Sequence, residues 1–520
     1  MTTFNWLPQE VLENIAFFSA TMTDVGPPSD FLSLLLSCKS IHRALSPEAN
    51  LHLCARIFEH KFDLSSAIRR LGPQIATPVT RAQELRKRFV YLKRIRARTD
   101  SRIHTPDNSQ ILSELLWFAY LMMLENDGKN VKHLKEYAGM EQWLVEYWFD
   151  DDGMSLASRV LSEDGWPLDS EHNSLAMWLF WFFLRPGSLQ RTEKNYRTFT
   201  TILKPIALAA NKYNLCHIPW TDFSPMSRPL EPRCISHYSN SYRLTPPTMA
   251  APAILSYFSL MAVFLGRTRG TYKGPRPPHD FPFSPDQSFE WDTDWQRCIN
   301  LAKSALTSQY SGSYMPGSLQ GVWEGVFTYT EFTTYADLLS GHSPSILHNC
   351  MVAHHHQTWK LREYHLMVQS EADGITAGEP STLLSIGDPL MAFFPPDIRI
   401  CEHSGCVEVH EPGKMAPILY RQPSASDAEV ADLESKIRDI IIIGEGHSAW
   451  GQFKLLGRVR PCDGFVSFFK EYMEGDRGRW LYRGYLVGSI NGNISGRWRD
   501  TLSLPNADGY EGCFAMSRRN

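Results

Sequence analysis

The chain has 520 residues, 43% of them hydrophobic and 21% charged, which suits two to four globular domains and excludes a disordered chain. With 52 basic and 56 acidic residues the net charge is −4, so no global field favours nucleic acid or a membrane surface. The ten cysteines are scattered, and the N-terminus lacks the basic, apolar and small-residue order of a signal peptide; the expectation is a reducing interior, cytoplasmic and/or nuclear.

The first element is carried by LPQEVLENI (7–15). Proline favours the first turn of a helix, where its missing N–H costs nothing. Pro8 therefore places Leu7 at the N-cap, where leucine offers no oxygen to the orphan N–H groups. This helix should run to about Phe18, with Leu7, Val11, Ile15 and Phe18 on one stripe. After the loop TMTDVGPPS, Ser29 caps a second helix in which Phe31, Leu34, Leu35, Cys38, Ile41 and Leu45 keep the helical spacing. Ser46-Pro47-Glu48 opens a third, carrying Leu51, Cys54, Ile57 and Phe58. So small a unit buries its own surface poorly, and the surplus apolar face needs the next domain, a partner or its own interior.

Residues 78–310 are expected to be mostly helical. RAQELRKRFVYLKRIRAR (81–98) forms a basic amphipathic helix with Leu85, Phe89, Leu92 and Ile95 on one side; a solvated face explains its charge more simply than a phosphate contact or a localisation signal. SLAMWLFWFFL (174–184) and APAILSYFSLMAVFLG (251–266) fall short of the roughly 20 residues a bilayer needs and are expected as buried helices. Pro-rich loops fall at 222–250 and 273–287.

From about residue 317 the pattern turns to strands. GVWEGVFTYT (321–330), GQFKLLGRVR (451–460), GFVSFFKEY (464–472), RWLYRGYLVG (479–488), ISGRWRD (494–500) and GYEGCFAMS (509–517) are punctuated by turn signals at Asp463-Gly464 and Asn491-Gly492. Consecutive strands with tight turns make an antiparallel meander, long enough to close a barrel of about eight to ten strands. Gly457, Gly484, Gly496 and Gly512, inside these strands, mark bends or close approach. The fold class is therefore α+β and multidomain: a three-helix unit (1–63), a mostly helical region with Pro-rich loops (64–315) and an antiparallel β-barrel (316–520).

Catalytic signatures are few. HHHQTWKLREYH holds His354, His355, His356 and His365, but adjacent histidines point in different directions, and a polar loop between strands is expected. Cys401, His403, Cys406 and His410 are chemically apt for zinc, yet they crowd within ten residues and lack two-arm spacing, so strand-edge placement is preferred. No phosphate-binding loop or nucleophile elbow occurs, and GEGHSAWG (444–451) leads into a strand rather than a helix. No catalytic residue, cofactor or metal is assigned.

Two resemblances add to this reading. On Leu7-Pro8, Glu10, Val11 and Ile15, then Leu34, Leu35, Ser37, Cys38, Lys39 and Leu45, residues 7–45 resemble an F-box, with a longer gap between the helices that holds Pro27-Pro28. The segments GRWLYRGYLVG, GNISGRWRD and YEGCFAMSRR resemble the tails of F-box-like proteins of mushroom-type fungi. The F-box resemblance implies a non-catalytic substrate receptor that docks on a Skp-family adaptor of a cullin–RING ubiquitin ligase. It implies an adaptor contact lined by Leu7, Pro8, Val11 and Ile15, with Leu34, Leu35 and Leu45 around the domain's own core or its margin. Gly321-x-Trp323 at the first barrel strand resembles the start of calycin and lipocalin barrels, which implies a tryptophan plugging one end and an interior able to hold an apolar ligand. The alternative function is thus a ligand-binding barrel, with the F-box-like helices merely structural.

Overall fold

A computed structural model describes residues 7–103, 109–186, 193–227, 230–269, 274–282, 284–367, 383–423, 437–475 and 477–519. Pro8 has a helical φ of −56° but an extended ψ of 148°, so it is the N-cap and α1 runs Gln9–Thr21. The cap expected at Leu7 thus falls one residue later, because the ring fixes φ and leaves ψ free. The Pro8 carbonyl accepts from Val11 and Leu12 at 3.1 and 3.2 Å. In the same way Pro28 caps α2 (Ser29–Ser37), and Ser29 is its first residue rather than its cap. The single second helix expected from spacing is two, since Cys38 is extended (φ −159°, ψ 161°) and α3 (Lys39–Leu45) restarts after it. The next helix, α4 (Leu51–Lys61), begins past Pro47 because Asn50 supplies the cap, its Oδ1 accepting from Leu53 N at 3.0 Å.

The chain forms two compact units. The first comprises Met1–Leu156 with Cys234–Tyr242 and Phe283–Phe289, and the second Ala157–Arg233, Arg243–Pro282 and Glu290–Asn520. These groupings cross the segment boundaries expected near 63 and 315. The first unit continues with α5 (Ser65–Leu71), α6 (Pro78–Ala97), α7 (Ser109–Leu124), a short α8 (Lys129–Lys132) that runs on as a π turn to Tyr137, and α9 (Met140–Phe149). Helix α6 buries Leu85, Phe89, Leu92 and Ile95, as its periodicity requires. The Pro-rich stretch at 222–250 contains a ribbon, β1 (Arg233–His237) and β2 (Asn240–Leu244), which turns through Tyr238 and Ser239 at φ 47° and 60°. Buried polar contacts fix the turn: Arg88 donates to Tyr238 Oη and Glu125, and Glu125 lies 2.6 Å from His237 Nε2.

The second unit opens with α10 (Ala157–Ser162), α11 (Glu171–Phe183), α12 (Glu193–Leu208), α13 (Ala250–Arg269) and α14 (Asp292–Asn300). From Asn173 to its end α11 is buried on every side, and no helix among the described residues is long and apolar enough to cross a membrane.

Eight strands then form a closed antiparallel barrel: β3 (Gly321–Thr330), β4 (Val352–Met367), β8 (Ile437–Ser448), β9 (Gly451–Val459), β10 (Val466–Tyr472), β11 (Arg479–Val487), β12 (Asn493–Asp500) and β13 (Glu511–Arg518). Each pairs with its neighbours in that order, and β13 and β4 both pair with β3. Beyond β4 the sheet extends through β7 (Ile418–Arg421), β6 (Cys406–His410) and β5 (Arg399–His403). Two short helices, α15 (Phe332–Leu339) and α16 (Ile346–Asn349), lie between β3 and β4. The histidine-rich segment is part of β4, not a loop, because its alternate residues Gln357, Trp359 and Leu361 are buried. Asn491-Gly492 does not form a two-residue hairpin: Val487 pairs with Asn493, and a five-residue loop between them is held by Glu290, which accepts from Ser489 N and Asn491 N.

Close approach explains the strand glycines. Gly484 and Gly496 face each other across β11 and β12, and a Cβ on Gly484 would sit 2.2 Å from the Ser495 carbonyl oxygen. Gly512 leaves room for the Trp498 indole, which would otherwise lie 2.6 Å from the added carbon. Gly484→Val is therefore expected to destabilise the second unit by about 1–3 kcal/mol. A urea titration followed by tryptophan fluorescence checks this, and an unchanged midpoint contradicts it.

Candidate functional site

The barrel has two unlike ends. Where β3 begins, the buried Trp323 indole donates to the Leu319 carbonyl at 2.8 Å, and the Arg518 guanidinium lies 5.0 Å from its ring. Glu363, buried on β4, clasps the segment that leads into β3: it accepts from Tyr314 Oη and Gly317 N at 2.7 Å and from Leu319 N at 2.6 Å. Tyr310, Tyr314 and Leu319 join the core there and close that end. Further in, Trp359, Phe468, Tyr482 and Phe514 pack with ring centroids 4.9–5.6 Å apart. This part of the barrel is filled by side chains.

The opposite end is built around an amine. Strand period places Lys470 on the inward face with Phe468 and Tyr472, and it is only 1% exposed. Its Nζ donates to Gln357 Oε1 at 3.1 Å and lies 3.5 Å from Tyr482 Oη. The rings of Phe453, Tyr472, Tyr482 and Phe327 surround it at 3.9, 4.8, 5.1 and 5.2 Å. Among the described residues no carboxylate compensates it, and burial holds the amine well below the usual lysine range. Burial also pushes the neighbouring Tyr482 phenol well above its ordinary value, so it stays protonated.

Above the amine, Phe327, Tyr329, Trp450, Tyr472, Trp480 and Trp498 line a mouth with about 230 Å³ of space unoccupied by atoms, open solvent included. His355, inward on β4, lies against it, 4.9 Å from Trp450 and 5.4 Å from Phe327 between ring centroids. With the rings in these positions the accessible volume is about 10 Å³, room for about one water molecule. The half-buried Tyr329, Trp450 and Trp480 therefore pack against the core and fill most of the mouth. Chemically the mouth offers flat apolar walls and one amine at its base. The sequence reading missed Lys470, although the alternation in FVSFFKEY carries the signal.

A second cavity, of about 370 Å³, lies outside the barrel in the same unit and is walled by His217, Trp220, Arg483, Arg497 and Glu511. Its guanidinium groups are held mainly by structural contacts, although the buried Nε of each has no hydrogen-bond partner. Arg497 donates to the carbonyls of Ile206, Ala207 and Tyr213 around the end of α12, and Arg483 donates to Glu511 at 2.8 Å.

The residues assigned by resemblance to an adaptor contact separate into surface and core. Leu7, Pro8 and Val11 are exposed, Ile15 and Leu34 are half-buried, and Leu35 and Leu45 are buried. The last two belong to the unit's own core rather than to a contact surface, because α1 turns Leu12, Ala16 and Ala20 inward against them and their neighbours. Of the expected stripe, Leu7 (38% exposed), Val11 (41%) and Phe18 (67%) face solvent and Ile15 is half-buried; Met22 (77%) follows the end of α1, and α2 exposes Leu32 (56%) and Leu36 (74%).

The remaining candidates stay apart. Cys401, His403, Cys406 and His410 lie on the β5–β6 hairpin at the edge of the sheet, with both histidines exposed and 3.6–3.8 Å from Glu408. His365 is buried beside Glu363, 3.2 Å away. His354 is pushed down to about 4 by burial and lies 3.5 Å from Tyr257 Oη. No cluster of three or more metal-ligating side chains occurs among the described residues. Comparison with family models, curated proteins and solved structures finds no match.

The amine makes a pH prediction. A lysine with a lower pKa in the folded than in the unfolded chain binds its proton more weakly when folded. Stability therefore rises with pH from the folded-state value up to about 10.4, by up to about 1.4 kcal/mol per pH unit. Lys470→Met should remove that slope and raise stability at neutral pH. Urea titrations of both proteins across the alkaline range check this; a variant that loses stability with the slope intact contradicts it.

Proposed function

We propose that the second unit binds a small, flat, largely apolar ligand at the aromatic mouth of the barrel, with Lys470 as its single polar anchor. The observation that carries this reading is the buried amine itself. A purely structural core would fill the position with a hydrocarbon, because an amine buried without a carboxylate partner is costly. Ligand sites commonly combine apolar walls with a few placed polar groups, and this mouth has that character. The closing of one end by Trp323 supports entry of the ligand at the opposite end. Titration with naphthalenemethanol, followed by tryptophan quenching and calorimetry, should reveal one saturable site. The double variant Trp450→Ala, Trp480→Ala should weaken it by roughly tenfold, the equivalent of about 1.4 kcal/mol of lost ring contact. Absence of saturable binding by small aromatic compounds, with no small molecule retained in native mass spectrometry, sinks the reading.

A specific observation supports a second role for the first unit, that of an F-box substrate receptor. Leu7, Val11, Phe18 and Met22 on and beside α1, and Leu32 and Leu36 on α2, are exposed apolar side chains in the segment whose sequence resembles an F-box. In this role the chain carries no ubiquitin chemistry and holds a target near a cullin–RING ligase through a Skp-family adaptor. Wild-type protein should co-purify with such an adaptor, and Val11→Asp or Leu36→Asp should abolish the complex while leaving the melting curve nearly unchanged, since both side chains are exposed. Failure of the wild-type chain to bind at concentrations where other F-box proteins do removes this role.

A further inference from the structure

We propose that Lys470 captures its ligand covalently: its amine condenses with an aromatic or conjugated aldehyde seated in the barrel mouth to give an imine. This inference rests on the ligand-binding reading above and names the chemistry of the guest. Lys470 Nζ stands at the base of the mouth with two uncharged hydrogen-bond partners, Gln357 Oε1 at 3.1 Å and Tyr482 Oη at 3.5 Å. An uncharged lysine is a nucleophile, and a desolvated pocket is a recognised way to keep it so. Gln357 accepts one amine hydrogen and orients the lone pair, while the Tyr482 hydroxyl stands within reach as a proton relay. The aromatic walls favour a flat conjugated group on the carbonyl carbon.

The step balances without a co-reactant. The nitrogen lone pair attacks the carbonyl carbon, a C–N bond forms and the carbonyl π pair moves to oxygen. A proton passes from nitrogen to that oxygen through the Tyr482 hydroxyl, giving a carbinolamine. The C–O bond then breaks, the oxygen leaves as water with a second proton from nitrogen, and the C=N bond forms. Amine and aldehyde become imine and water, with no change of oxidation state, and hydrolysis reverses the reaction.

The test is reductive trapping of the full chain with naphthaldehyde and cyanoborohydride, followed by peptide mass mapping. Wild-type protein should take one equivalent, on Lys470, at a rate nearly flat between about pH 7 and 9, whereas exposed lysines should react roughly tenfold faster for each pH unit. Lys470→Met should lose that label, and naphthalenemethanol, which has the same ring and no carbonyl, should bind the wild-type chain without labelling it. Tyr482→Phe, which keeps the ring, should label severalfold more slowly. If the alcohol binds and Lys470 labels no faster than the exposed lysines, the imine is overturned and the ligand-binding reading stands. If neither compound binds and nothing labels selectively, both fall.

Discussion

Closure of the barrel is the constraint from which the rest of the second unit follows. A meander of eight strands leaves two edges, and each would present unpaired backbone groups to other chains. Here β3 meets β13 on one side and β4 on the other, so the eight strands have no free edge. Closing so small a ring turns alternate residues into a narrow interior that side chains must fill. Aromatic rings do most of the filling, and the paired Gly484 and Gly496 let the backbones of β11 and β12 come close where any side chain would collide. The segment before β3 then stoppers one end, because Glu363 collects its N–H groups and the Tyr314 hydroxyl.

Within that filled ring one inward position is chemically out of place. Gln357 and Tyr482 supply hydrogen-bond partners and four rings supply weak attraction for a cation, yet no carboxylate offsets the desolvation of Lys470. Two buried arginines of the same unit are paired with carboxylates, whereas Arg497 is held by backbone carbonyls. Arg458 is held by Asp439 at 2.9 Å, and Arg460 by Asp463 at 2.7 Å. Burial lowers the Lys470 amine, whereas the carboxylates beside Arg458 and Arg460 hold these guanidinium groups above their ordinary value, and the lysine stands where the barrel opens.

Much of this was legible in the chain. The strand period of 321–330 and 451–517, with tight turns, carried the meander, and the helical spacing of 81–98 carried the buried face of α6. The parts that were not legible have physical causes. The ribbon β1–β2 turns through Tyr238 and Ser239, neither of them a turn-forming glycine or asparagine, and its turn is fixed by Arg88 on α6 and Glu125 just past α7, both distant in sequence. The histidine run hid β4, because polar residues occupy both faces of the strand at its open end. The break at Cys38 interrupts no apolar spacing, so periodicity alone joins α2 to α3. Lys470 was overlooked for a related reason: a lysine in an alternating strand is ordinarily assigned to the solvent face, and only its phase with Phe468 and Tyr472 contradicts that.

Leu7 illustrates how structure changes the meaning of an unusual residue. If it were the N-cap, its side chain would forgo a capping bond, and serine there would improve the helix by about 1 kcal/mol. With Pro8 as the cap, that argument lapses, since α1 has no side-chain cap at all and Leu7 lies outside the helix. Its exposure must be explained by the surface it shares. Single exposed leucines are ordinary. Here Val11 and Phe18 on α1, Leu7 and Met22 at its flanks, and Leu32 and Leu36 on α2 are all exposed, which is more apolar surface than a single stray side chain. The opposite face of α1 already buries Leu12, Ala16 and Ala20, so the helix has met its own packing needs without the stripe. The surplus apolar surface thus belongs to the outward sides of α1 and α2 and serves no packing within these helices.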